Sequence, residues 1–156
     1  MRLTQRGALL ALSLLCFALV GAALVSQHVF DMQPCPWCIL QRIIFLVLAL
    51  LLLAGAFLPG RAVFIVGSVA FALAGIVTAL YQHFVAAKSQ SCNLTLADKI
   101  ISGLGLDKAA PAMFEVKASC ADAAVDMLHV PYEFWSLGFF AVVTVAAVWV
   151  LRLRNA

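Results

Sequence analysis

Four long apolar segments dominate the pattern of hydrophobic and polar positions along the chain. They lie at about residues 7–25, 39–58, 62–81 and 134–151, and Arg42 is the one charged residue inside them. Each approaches the roughly 20 residues that a helix needs to cross the hydrocarbon core of a bilayer. A backbone in lipid must satisfy its own hydrogen bonds, which favours helices over open strands. The pattern therefore predicts an all-α membrane protein, a bundle of four transmembrane helices.

Two polar loops separate these segments on one side of the membrane, at about residues 26–38 and 83–133. Within the second loop, residues 93–104 have the spacing of a short amphipathic helix, with apolar side chains on one face. Thr95 and Asp98 have the spacing of a capping box at its start. Such a helix is suited to lie on the membrane surface or to pack onto the rest of the loop. No internal repeat or low-complexity linker is present, so we expect a single domain.

Composition supports an integral membrane protein. Of 156 residues, 65% are hydrophobic and 11% are charged, whereas a soluble domain carries about a quarter charged residues. The net charge of +3 is small and scattered, so nothing indicates a nucleic-acid partner. Arg2 and Arg6 before the first apolar segment also fit a secretory signal peptide. The segment is longer than a typical signal core, which favours a retained anchor.

The distribution of charge predicts which side of the membrane each loop faces. An even number of spans places both termini on one side, together with the turn between the second and third spans. Arginines beside span ends concentrate there, and this bias marks the cytoplasmic face. They are Arg2, Arg6, Arg61, Arg152 and Arg154. All seven acidic residues fall on the other side: Asp31, Asp98, Asp107, Glu115, Asp122, Asp126 and Glu133. We therefore expect cytoplasmic termini and two loops that face the outside of the cell or the periplasm.

Two cysteines stand where the first loop meets the second apolar segment, in Pro34-Cys35-Pro36-Trp37-Cys38. Proline disfavours helix in the residue before it and is common at the first helical position, so a helix is expected to begin at Pro36. Cys38 then lies in the first turn. Unpaired backbone N–H groups and the positive end of the helix dipole favour a thiolate at that position.

A C-x-x-C pair has three common interpretations: a zinc half-site, a haem attachment site or a redox pair. Haem attachment needs histidine directly after the second cysteine, and this chain has Ile39 there. Zinc binding would need Cys92 and Cys120 of the long loop to complete a four-thiolate site. A redox pair explains both the place at the helix start and the periplasmic side, where disulfides persist.

Cys92 and Cys120 form the second candidate pair. They fit a plain stabilising disulfide, which by loop-entropy estimates contributes about 3 kcal/mol. They also fit an exchangeable disulfide that relays electrons, because thiol–disulfide exchange requires a second dithiol within reach of the first. The fifth cysteine, Cys16, lies in the middle of the first span and is expected to be a small apolar filler.

Two further side chains are candidates for the site. Arg42 lies four residues after Cys38, one turn down the same helical face. An ionised group inside a span is costly, so Arg42 either stabilises the Cys38 thiolate, binds a polar ligand head, pairs with Asp31 or snorkels to the headgroups. His83 stands at the outer end of the third span, near the expected depth of Arg42, where histidine is also common at the interface without a functional role.

These motifs together resemble the DsbB family, the bacterial inner-membrane quinone reductases that reoxidise the periplasmic thiol oxidase DsbA. The resemblance covers nearly the whole chain and rests on four spans with cytoplasmic ends and on a cysteine pair in the long second loop. It also rests on three local motifs. They are Pro34-Cys35-Pro36-Trp37-Cys38 leading into the second span, Gln41-Arg42 just past the second cysteine, and Cys120-Ala121-Asp122 followed by Pro131 and Trp135 at the start of the fourth span.

The resemblance implies a role for each candidate residue. Cys92 of a Cys92–Cys120 disulfide would be attacked by the reduced DsbA-like partner, and Cys35 would exchange with Cys120. Cys38 would remain as the thiolate facing a quinone, with Arg42 close to a quinone oxygen. Ubiquinone is the acceptor implied under aerobic conditions and menaquinone otherwise. His83 corresponds to a family histidine near the quinone, although the loop lengths around it differ.

Three alternatives stay open. A paralogue would use the same chemistry with a different oxidoreductase partner. Four-helix proteins that resemble vitamin K epoxide reductase also couple loop cysteines to quinones, but their C-x-x-C follows the loop pair, and here the order is reversed. A non-enzymatic membrane scaffold would instead bind zinc through the four periplasmic cysteines.

Overall fold

The protein folds around four long helices that are apolar enough to cross a membrane. A computed structural model describes residues 5–88, 95–123, 126–127 and 129–155. Together these helices confirm the predicted all-α, four-helix membrane fold. They are α1 (Gln5–Val29), α2 (Pro36–Phe57), α3 (Arg61–Phe84) and α7 (Tyr132–Asn155). Each helix except α2 extends past both ends of its apolar segment, because polar residues at its ends continue the helical backbone.

Helix α2 begins where the proline pattern predicts, at Pro36. Cys35 is its N-cap, with extended backbone, and the Cys35 sulfur accepts a hydrogen bond from the backbone N–H of Cys38. The helix ends at Phe57, and α3 begins four residues later. Gly60 makes this tight connection with a φ of 78°, in the left-handed region that glycine adopts without strain.

Helix α2 is the most buried of the four spans and packs against both α1 and α3. A hydroxyl–carbonyl hydrogen bond of 2.8 Å joins Ser13 of α1 to Ala49 of α2. Helices α2 and α7 contact each other through the rings of Phe45 and Phe140, which stack with centroids 4.1 Å apart. Phe140 also packs against Gly75 of α3, where a Cβ atom would come within 2.5 Å of the ring. These contacts fix the four helices around one core.

The second loop contains the predicted amphipathic helix, α4 (Leu96–Gly103). The expected capping box is present. The Asp98 backbone N–H donates to the Thr95 side chain, and the Thr95 backbone N–H donates to the Asp98 side chain. Ala97 and Ile101 are buried, and Ile101 packs with Ile39 of α2. The apolar face of α4 therefore packs onto the protein. Leu96 and Leu104 at its two ends stay exposed.

The rest of the loop contains short elements that the sequence pattern did not predict. A 3₁₀ turn follows α3, two single-turn helices follow α4, and a two-stranded antiparallel hairpin precedes α7. They are Ala86–Lys88, α5 (Leu106–Ala109), α6 (Pro111–Phe114), β1 (Asp126–Met127) and β2 (Val130–Pro131).

Candidate functional site

Cys35 and Cys38 lie together at the start of α2, as free thiols whose sulfurs are 2.8 Å apart. The N-cap geometry produces this proximity, because it turns the Cys35 side chain back over the first helical turn. The Cys38 N–H donates to the Cys35 sulfur across 3.3 Å. The pair is thus positioned for reversible bond formation between its two sulfurs.

Cys120 reaches the same place from the second loop. It is buried, and its thiol lies close enough to Cys35 to raise the pKa of the Cys35 thiol. Burial raises this pKa most, and the neighbouring thiols of Cys120 and Cys38 raise it further. At neutral pH the reduced Cys35 side chain is therefore a protonated thiol. The fourth candidate, Cys92, lies outside the described residues.

Backbone hydrogen bonds fix the position of the second loop against the first. The N–H groups of Lys117 and Ala118 both donate to the carbonyl oxygen of Pro34, at 3.1 and 3.3 Å. Pro34 directly precedes Cys35, and Ala118 is two residues before Cys120. These bonds hold the two cysteine-bearing segments side by side.

Arg42 lies one turn below Cys38 and is 5% exposed. Its Nη1 atom donates to the side-chain oxygen of Gln27, at 2.9 Å, and to the carbonyl oxygen of Met113. Arg42 therefore does not snorkel to the headgroups, and Asp31 accepts from Gln33 instead. The Arg42 Nε atom is buried without a hydrogen-bond partner among the described residues. A fixed cation with one unused donor thus lies beside the dithiol.

A cavity of about 340 Å³ opens onto this cation between the outer ends of α1, α2 and α7. Its volume is near the lower end of the roughly 300–1,000 Å³ typical of small-molecule sites. Polar groups from Cys38, Arg42 and Tyr132 line it together with the apolar side chains of Phe30 and Met32. Sequence reasoning did not identify Tyr132 as a site residue, so its place in this lining was missed. The cavity suits a ligand with a polar head and an apolar body.

A larger cavity of about 1230 Å³ lies between α2, α3 and α4. Its lining is mostly apolar and includes Trp37, Ile44 and Phe71, and it reaches Cys120 at its outer end. Trp37 packs against Tyr81 with ring centroids 4.7 Å apart. Cys38 and Arg42 do not line this cavity in the part of the chain that the structure describes.

Two glutamines to which sequence reasoning assigned no role form a hydrogen-bonded chain that ends at the dithiol. The Gln82 side-chain amide donates to the Cys38 sulfur across 3.3 Å. Gln41 donates in turn to the carbonyl oxygen of the Gln82 side chain across 2.7 Å. A signal was available, because an uncharged polar side chain within or at the end of an apolar span is costly unless it finds a partner.

His83 lies beside Gln82 in the sequence, but its contacts are with residues other than the dithiol. Its Nδ1 atom is 2.6 Å from a carboxylate oxygen of Glu133, and its ring packs against Phe84 and Phe134. The structure thus brings Cys35, Cys38, Cys120 and Arg42 together and ties His83 to the start of α7. A direct role for His83 at the site stays a prediction.

Zinc binding needs at least three converging ligands in a closed site. Among residues 5–88, 95–123, 126–127 and 129–155, no three His, Cys, Asp or Glu side chains are placed to hold a metal ion.

The chain matches a family of known proteins. The sequence profile described as "DsbB: Disulfide bond formation protein DsbB" matches residues 5–150. The chain is 35% identical over 151 residues to disulfide bond formation protein B 1 of Pseudomonas syringae pv. syringae, covering 94% of this chain and 89% of the relative. It is 30% identical to disulfide bond formation protein B of Nitrosospira multiformis, covering 96% and 93%. Pseudomonas entomophila has a similar protein at 34% identity over 145 residues, which covers 90% of this chain and 86% of the relative.

Proposed function

Since the chain belongs to the DsbB family of disulfide bond formation proteins, we propose that it reoxidises a periplasmic DsbA-like thiol oxidase and passes the electrons to a membrane quinone. Its four apolar helices support a multi-pass membrane protein, and its family implies disulfide-forming oxidoreductase activity. We place it in the bacterial inner membrane, with cytoplasmic termini and periplasmic cysteines. The whole chain acts in this proposal as one membrane domain.

The proposed electron path runs through two cysteine pairs. A thiolate of the reduced partner attacks the Cys92 sulfur, the Cys92–Cys120 bond breaks, and Cys120 leaves as a thiolate. That thiolate attacks Cys35, and the bonding pair of the Cys35–Cys38 disulfide moves to Cys38. The partner's second thiol then displaces Cys92, and Cys92 displaces Cys35 from Cys120. The partner has become a disulfide, and two electrons have reached Cys35 and Cys38.

The contact between Cys120 and Cys35 supports this path. Exchange requires direct attack of one sulfur on another, and the Cys120 thiol lies close enough to Cys35 to raise the pKa of the Cys35 thiol. The bonds from Lys117 and Ala118 to Pro34 keep them within reach. The raised pKa of Cys35 also suits its role, because its sulfur is the one attacked and a protonated thiol is a weak competitor for the new disulfide.

One observation carries the proposed acceptor: Cys38 and Arg42 line the same small cavity, and the buried Arg42 Nε lacks a partner among the described residues. A quinone, when bound, accepts two electrons and two protons. Arg42 would hold a carbonyl oxygen of its ring, and the apolar side chains of Phe30 and Met32 would contact the rest of the molecule. We propose ubiquinone under aerobic conditions and menaquinone otherwise.

The test combines purified protein, a reduced periplasmic thiol oxidase and a soluble quinone, and follows quinone absorbance. Replacing Cys35, Cys38, Cys92 or Cys120 with serine is expected to abolish transfer, because each sulfur forms or breaks a bond. Cys16→Ser is the matched control, since Cys16 is buried in α1 away from the dithiol. Transfer at the wild-type rate in Cys35→Ser or Cys38→Ser would disprove the proposal.

A further inference from the structure

The Cys38 sulfur has a neutral hydrogen-bond donor that the proposed electron path does not use. Gln82 of α3 reaches across to α2 and donates to this sulfur at 3.3 Å. Gln82 is 4% exposed and Gln41 is 3% exposed, so water does not compete for either amide. A donor in such a place interacts with a developing negative charge more strongly than it would in water.

Gln41 determines which end of the Gln82 amide faces the sulfur. An amide carries a carbonyl oxygen on one side and an NH₂ group on the other, and the two are similar in size. The Gln41 NH₂ group binds the Gln82 carbonyl oxygen at 2.7 Å, which leaves the Gln82 NH₂ group toward Cys38. Without Gln41, the amide could turn its oxygen to the sulfur and repel negative charge there.

The recorded hydrogen bonds of Arg42 go to Gln27 and Met113, away from the sulfur. Arg42 thus contributes its charge at a distance, and Gln82 contributes a direct hydrogen bond. Other groups that face Cys38 from the packed elements are the Cys35 thiol and the Tyr132 hydroxyl of α7. Gln82 differs from these neighbours because a second uncharged side chain, Gln41, holds its donor group toward the sulfur.

We propose that Gln82 is a further catalytic residue and that Gln41 is its positioning residue. When Cys120 attacks Cys35, the Cys35–Cys38 bond breaks and its electron pair goes to Cys38. Gln82 donates its hydrogen bond to the thiolate that forms, and Gln41 keeps the donor pointed at it. This inference rests on the proposed function, because it assumes that Cys35 and Cys38 alternate between disulfide and dithiol.

The reduction potential of the Cys35–Cys38 pair tests this directly, without a partner protein or a quinone. The full-length chain, with Cys92 and Cys120 replaced by alanine, is equilibrated in detergent with glutathione redox buffers at neutral pH. Maleimide labelling and mass spectrometry then give the reduced fraction. Gln82→Met and Gln41→Met each remove one donor and keep the side-chain length. Thr78→Val is the matched control, since Thr78 lies one turn earlier on α3 and donates to Gly75 of its own helix.

Removing the Gln82 donor destabilises the reduced form of the Cys35–Cys38 pair. In Gln82→Met the equilibrium constant for reducing this pair is therefore expected to fall about tenfold, which corresponds to ~30 mV for a two-electron couple. Gln41→Met is expected to lower it about threefold, because the amide keeps its donor but loses its orientation. Thr78→Val should match the parent chain.

An unchanged constant in Gln82→Met would overturn the assignment of Gln82, and an unchanged constant in Gln41→Met would overturn the positioning role. Should Gln82→Met fail to fold, Gln41→Met still decides, since it changes the donor only indirectly. A parent chain that forms no Cys35–Cys38 disulfide in any buffer would instead refute the proposed function. The two failures are therefore distinguishable.

Discussion

At the residue scale, Arg42 is the side chain whose replacement tests the proposed acceptor site. Arg42→Met removes the buried charge that lines the cavity and, with it, the buried Nε donor that has no partner among the described residues. Hydrogen bonds to charged groups contribute about 1.5–3 kcal/mol, so we expect the KM for quinone to rise roughly 10- to 100-fold. Steady-state quinone reduction measured by absorbance gives this value.

Two further variants test whether a change in KM is specific to the charge and geometry of Arg42. Arg42→Lys keeps the charge but loses the planar donor geometry, so an intermediate KM is expected. Arg61→Met is the matched control at the opposite end of the bundle, where Arg61 donates to Gly55 and Gln5. An unchanged KM in Arg42→Met would remove Arg42 from the acceptor site.

The residues that sequence reasoning found and those it missed differ in their chemical signal. Cys35 and Cys38 form a recognisable spacing, and Arg42 is the one charge inside an apolar segment. Gln41 belongs to a family motif that assigns it no contact, Gln82 belongs to none, and the role of both depends on which face of each helix turns inward. That rotation is set by packing between helices, which a single sequence does not encode locally. Polar residues inside spans are therefore the positions to examine first in a chain of this class.

At the element scale, the contact between α3 and α7 depends on the absence of a side chain at Gly75. A Cβ atom there would lie 2.5 Å from Phe140, whose ring also stacks on Phe45 of α2. Gly75→Ala therefore forces a buried ring to move and is expected to destabilise the fold by about 1–3 kcal/mol. Thermal unfolding in detergent, followed by circular dichroism, measures the change.

Gly67→Ala is the control on the same helix, because its Cβ would meet Leu51 at an ordinary 3.7 Å. Both substitutions raise helix propensity equally, so a difference between them isolates the steric contact. Equal unfolding temperatures for the two variants would show that α7 shifts to accept the methyl group at no measurable cost.

Hydropathy and local capping signals predicted most elements but not their arrangement. The length of the apolar segments predicted four helices. The proline pattern predicted the start of α2, and the spacing of Thr95 and Asp98 predicted the start of α4. The single-turn helices and the hairpin before α7 were missed because they are too short for a periodic pattern. Their places follow from long-range contacts such as Lys117 to Pro34.

At the scale of the whole molecule, the two ends of the bundle differ in chemistry. The end of α1 meets the start of α2 through Gln27 and Arg42, and the end of α3 meets the start of α7 through His83 and Glu133. This end carries the dithiol. At the opposite end Arg61 binds Gln5 and Gly55, and Arg6 lies 4.5 Å from the centre of the Phe57 ring. Antiparallel neighbours thus collect Cys35, Cys38 and Cys120 at one end of the bundle and Arg6 and Arg61 at the other.

This polarity leads to a prediction about orientation. Arginines beside span ends favour the cytoplasm, so the dithiol end should face the periplasm, where disulfides persist. In a chain whose five cysteines are replaced by alanine, Lys108→Cys and Pro59→Cys place single thiols at exposed positions of opposite ends. A membrane-impermeant maleimide should label Lys108→Cys in intact spheroplasts and Pro59→Cys only after lysis. The reverse pattern would put the dithiol in the reducing cytosol, where a DsbA-like partner could not reach it.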